Sequence, residues 1–110
     1  MGRELRSIVL TKGEFAYAAG LYFDARPDLP VVSHNIDSVQ GPPAADGQGQ
    51  VRLKDPLVDG QTVVTLEPQE MIDMVVTFCR DKAIPLPRSG RKSILCRDEH
   101  VVLEIELDWF

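Results

Sequence analysis

Three cations crowd around one glycine in PLPRSGRKS, residues 85–93, where Arg88, Arg91 and Lys92 flank Gly90. Backbone N–H groups around a glycine that turns the chain can converge on an anion. Arginine forks match phosphate oxygens two at a time, and lysine adds a point charge. Arg88, Ser89, Gly90, Arg91 and Lys92 are therefore the candidate anion-binding residues, and a small phosphorylated ligand is the class that suits them. The stretch is not a nucleotide-binding P-loop. Arg91 separates Gly90 from Lys92, and no glycine stands at the required upstream spacing. A scaffold reading competes with the anion site. Pro85 and Pro87 stiffen a turn, Arg91 is available to pair with Glu106, and Lys92 suits the guarding of a strand edge.

The basic stretch belongs to a wider asymmetry. Residues 80–97 hold six of the 12 basic residues and one acid, Asp81, in a chain whose net charge is −5. That acidic total argues against a dedicated nucleic-acid binder, and the basic stretch has no aromatic residue on which bases could stack.

Other chemistry is sparse. His34 and His100 are the only histidines, and neither stands at a metal-ligand spacing from further ligands. Cys79 and Cys96 are too far apart for a CxxC motif, lie on apolar stripes, and read as buried, reduced thiols. A Cys/His catalytic pair would have to assemble from His34 and one of these. Glu104, Glu106 and Asp108 alternate along one strand face, a pattern that most simply marks a solvated surface. No cofactor or metal is expected, and nothing points to catalysis.

These residues need elements to position them. The 110 residues fit one domain, and the 44% hydrophobic content suits a packed core. ELRSIVL, residues 4–10, reads as a strand. Thr11 with Glu14 forms a capping box, and Phe15, Ala18, Ala19 and Tyr22 recur at helical spacing. Pro27 should stop that helix near Arg26. Residues 29–34 read as a short strand, 41–50 as a mobile loop without large apolar side chains, and 51–53 as a short edge strand. QTVVTLE, 61–67, is a strand, followed by a mostly buried helix that opens on Pro68 and closes before Pro85. The C-terminal residues read as a hairpin turning at Asp98-Glu99, a register that sets Ile94 beside Leu103 and Arg91 beside Glu106.

Segments 8–23 and 64–79 also align at a constant offset of 56, Leu10, Glu14, Phe15 and Tyr22 matching Leu66, Glu70, Met71 and Phe78. So few matches carry little weight by themselves.

The expected architecture is α+β: a two-layer domain with two helices on one face of a mixed four- to five-stranded sheet ending in a hairpin. The first ten residues lack the apolar core of a secretory signal, and no run is long enough to span a membrane, so a cytoplasmic location is expected. The functional expectation is a small non-catalytic interaction or regulatory module. Its partner is a protein or a second copy, engaged through the strand 101–109. The alternative is binding of a phosphorylated ligand or nucleic acid through residues 88–92.

Overall fold

A computed structural model describes residues 2–87 and 89–109. Over these residues the chain is α+β, with two α-helices and six strands. β1 (Gly2–Leu10), α1 (Lys12–Asp24), β2 (Ile36–Gln40) and β3 (Gly49–Leu53) make a first β-α-β-β unit. β4 (Val63–Leu66), α2 (Pro68–Asp81), β5 (Arg91–Arg97) and β6 (His100–Trp109) repeat that order. The expected single mixed sheet is not formed. There are two three-stranded sheets, ordered β1-β6-β5 and β2-β3-β4, and every pairing is antiparallel.

The units exchange their leading strands. β1 leaves its own hairpin and lies beside β6, while β4 lies beside β3. The repeat extends to the helix starts. Thr11 caps α1 in a box with Glu14, and Glu67 stands 56 positions later in the same reciprocal arrangement with Glu70. Leu10 and Leu66, Phe15 and Met71, Tyr22 and Phe78 are all buried in one core that both sheets share. The aligned segments thus correspond to equivalent elements of a repeated topology.

Both helices form as their sequences dictate. α1 buries Phe15, Ala18, Ala19 and Tyr22, and Phe23 besides. Pro68 takes the first turn of α2, where no N–H is needed. α2 ends in a Schellman closure, in which the Ile84 N–H donates to the Cys79 carbonyl at 2.8 Å with Ala83 left-handed at φ 55. The helices meet through Tyr17, whose ring lies edge-on to Phe78 and whose hydroxyl donates to Asp81 at 3.1 Å.

Three expectations need correction. Residues 29–32 are not a strand. Ser33–Asn35 make a 3₁₀ turn, in which Asp24 accepts the Ser33 N–H and Asn35 exchanges two hydrogen bonds with the Asp55 backbone. Side chains that bond nearby backbone compete with a ladder, and here they win. β3 is the centre of its sheet rather than an edge, because β4 pairs along its other side. β6 is likewise a centre strand, paired from Gly2↔Trp109 to Leu10↔Val101 on one side and from Arg91↔Glu106 to Arg97↔His100 on the other. From Val101 to Glu106 it is paired on both sides, which leaves no edge there for a partner.

Segment 41–49 crosses from β2 to β3 along the rim of β5. Pro42 is buried, the Asp46 N–H donates to the Ile94 carbonyl at 2.9 Å, and the Asp46 carboxylate accepts the Ile94 N–H at 3.2 Å. Asp46 therefore occupies part of the β5 edge.

Candidate functional site: an open sheet face and a divided basic stretch

The β5-β6 hairpin adopts the expected register, with Ile94 opposite Leu103 and Arg91 opposite Glu106. Its two-residue turn holds Asp98 at φ 49 and Glu99 at φ 66, the doubly left-handed geometry that such loops favour, here without glycine. The His100 ring folds back with Nδ1 2.8 Å from the Asp98 carbonyl.

That register divides the basic stretch. Side chains alternate across a strand, so consecutive Arg91 and Lys92 face opposite sides of the sheet. Arg91 turns to the outer face, where Nη2 donates to Glu106 Oε1 at 2.9 Å. Lys92 lines a cleft between α2 and β5 with Arg80, Asp73, Ile72, Val76 and Leu86. Ser89 is exposed, and Arg88 lies outside the described residues. The structure thus sets Lys92 and Arg80 along the lining of one cleft, a grouping that sequence spacing did not suggest, while the Arg91 guanidinium pairs with Glu106 on the outer face. No ion pair among the described residues involves Arg80 or Lys92.

Gly90 has a packing role. It sits at φ +123, and a Cβ there would lie 2.8 Å from Leu107 Cδ2, 2.9 Å from Ile105 Cγ2 and 3.0 Å from the Glu106 carbonyl oxygen. The chain passes so close to β6 that a side chain here would have to displace its neighbours.

The outer face of β1-β6-β5 is a charge ladder with an apolar end. The acids of the central strand are met by arginines from both flanks. Arg3 Nε lies 3.1 Å from Asp108 and 3.3 Å from Glu106, and Arg97 lies 3.7 Å from Glu104. Hydrogen bonding to Asp108, reinforced by the charges of Glu106 and Asp108, raises the Arg3 pKa. Further along, Val9, Val102 and Leu95 stand side by side. Val102 is buried by these neighbours rather than by the core. Leu5 and Val9 remain 59% and 56% exposed. The alternation in residues 4–10 carried this signal, since it puts Leu5, Ser7 and Val9 on one side and Ile8 and Leu10 on the other. Apolar residues on both sides of an edge strand mark a second covered or coverable face.

The thiols part company. Cys79 is in the core as expected, but Cys96 is exposed, which corrects its reading as a buried residue. Its inward-facing position, opposite the core residue Val101, opens on a cleft of about 620 Å³ bordered by Lys12, Gln40, Gln48, Gln50 and Glu99. The sulfur itself sits against Gly41, and this local burial raises its pKa despite the charge of Lys12. His34 is exposed in the 3₁₀ turn and does not border that cleft, so the structure does not assemble a Cys/His pair there. Among the described residues, no group of histidines, cysteines and carboxylates is placed to hold a metal, and no helix is long and apolar enough to cross a membrane. No protein-family model, curated protein or solved structure matches this chain.

Proposed function

We propose that this chain is a non-catalytic interaction module whose contact surface is the outer face and free edge of the β1-β6-β5 sheet. The observation that carries the reading is the exposure of Leu5 and Val9 on a nine-residue strand paired along only one side. An unpaired edge offers a row of backbone donors and acceptors to an incoming strand, and alternate side chains supply selectivity. Edge strands without a partner are usually short, bulged, charged or interrupted by proline; β1 is long, unbulged and free of proline, and its charges, Arg3, Glu4 and Arg6, are confined to its first half. A short alternating valine–threonine peptide is the probe. With the chain dilute and the peptide in excess, so that a second copy does not hold the edge, amide shifts concentrated in β1 support the reading, and shifts confined to other elements or none at all overturn it.

A second reading rests on the α2-β5 cleft, whose lining includes Arg80, Lys92 and Asp73 beside the apolar side chains of Ile72, Val76 and Leu86. It transfers the anion-binding expectation from the 88–92 loop to Lys92 with a cation from α2. Ligands that bind the native state raise its melting temperature. Inorganic phosphate and simple phosphomonoesters should therefore raise it, in a salt-sensitive way, for the native chain and not for Arg80→Ala/Lys92→Ala. Equal behaviour of the two proteins removes this reading.

A further inference from the structure

The free edge of β1 is complementary to itself. In GRELRSIVL, Glu4 and Arg6 lie either side of Leu5 and on the same face of the strand, where they form an ion pair along the chain. We infer that β1 pairs antiparallel with β1 of a second copy of this chain, about a twofold axis through Leu5, an inference that rests on the reading of this edge as a contact surface. In that register Glu4 faces Arg6 of the second copy, Arg6 faces its Glu4, Leu5 meets Leu5, and Arg3 meets Ser7. Opposite charges directly across a strand pair stabilise it, and like charges destabilise it. Moving the axis one residue either way sets Glu4 on Glu4 or Arg6 on Arg6. Moving it to Ser7 sets Arg6 against Ile8 and Glu4 against the buried Leu10, leaving both charges without an opposite partner.

The axis stands perpendicular to the sheet. The two three-stranded sheets become one antiparallel sheet ordered β5-β6-β1-β1-β6-β5. Inward-facing Leu10 is buried while inward-facing Arg6 is exposed, so the core underlies one end of β1 and leaves the other open. The second copy's core then underlies the opposite end of the seam, and the bodies do not compete for space. Leu5 is covered where it meets its equivalent. The exchanged ion pairs select the register more than they add affinity, because each replaces a pair already present within the strand.

Sedimentation across a concentration series and disulfide trapping test this together. The native chain should double in mass as concentration rises. Glu4→Arg and Arg6→Glu should each remain monomeric with an unchanged circular-dichroism spectrum, and an equimolar mixture of the two should recover the dimer. A role confined to the pair within one strand would give no recovery on mixing. In a Cys96→Ser background, Leu5→Cys should form a disulfide-linked dimer under mild oxidation and Ser7→Cys should not. A native chain that stays monomeric, a mixture that stays monomeric, or trapping through Ser7→Cys in place of Leu5→Cys overturns the inference. A monomer whose β1 amides still shift with the strand peptide removes the second copy alone; a monomer without those shifts removes the contact surface as well.

Discussion

Replacing Gly90 by alanine separates the scaffold role of the basic stretch from an anion-binding one. The native φ of +123 is a region that L residues rarely adopt, and forcing alanine into it costs about 1–3 kcal/mol. The new methyl would also meet two β6 side chains at 2.8 and 2.9 Å and a backbone oxygen at 3.0 Å. The side chains can rotate, but the backbone oxygen belongs to a centre strand paired on both sides, so the strain of overpacking adds about 1–3 kcal/mol. The sum of about 2–6 kcal/mol corresponds to a fall of about 10–25 °C in melting temperature for a domain of this size. Gly60 supplies the control. It also has positive φ, at +88, but a Cβ there meets nothing within 4 Å, so Gly60→Ala reports the conformational part alone. Thermal unfolding followed by circular dichroism should show Gly90→Ala melting well below Gly60→Ala. Equal losses would mean that the close approach to β6 does not constrain this residue, and would return Gly90 to the role of an anion nest.

The hairpin turn should respond in the opposite direction. Asp98→Asn with Glu99→Gly supplies the residues that two left-handed positions favour, and should stabilise the domain by about 0.5–1 kcal/mol, read as a higher urea midpoint. Asp46→Ala removes the acceptor for the Ile94 N–H and should cost about 1–2 kcal/mol with faster exchange of that amide, whereas Asp46→Asn keeps the acceptor and should behave as the native chain. In the folded protein a thiol reagent should label Cys96 and spare Cys79 until denaturant is added. Burial raises both thiol pKa values, so Cys96 labelling should keep accelerating above the pH at which a free cysteine levels off. Because folded Cys79 holds its proton to higher pH than the unfolded chain does, its contribution to stability is present below the unfolded pKa and fades as pH rises toward the folded one. Cys79→Ala should flatten that alkaline loss.

Local chemistry was legible in the sequence. The Thr11–Glu14 box, Pro68 at a helix start and the apolar spacing in both helices are decided within a few residues, and the structure follows them. The hairpin register was legible for the same reason. A two-residue loop leaves one pairing open, and it sets Arg91 on Glu106. Of the candidate anion site, the alternation of a strand already implied that Arg91 and Lys92 diverge. That Lys92 and Arg80 line one cleft depended on how α2 lies along β5.

Which strands lie side by side was decided only in three dimensions. β1 and β4 carry no local mark of their partners, and each pairs with the hairpin of the other unit because that choice closes a single core over both sheets. That one decision makes β3 and β6 centre strands and leaves β1 a free edge. Cys96 lies open to a cleft opposite the core residue Val101, although its apolar neighbours suggested burial. Sequence by itself determined both helices, β1, β4 and the C-terminal hairpin, with their caps and the face each side chain takes, because these follow from backbone periodicity and bonds to near neighbours; β2, at Ile36–Gln40, was not among the expected strands. Tertiary structure determined which face is covered and which edge is left open, because burial depends on contacts between residues far apart in the chain.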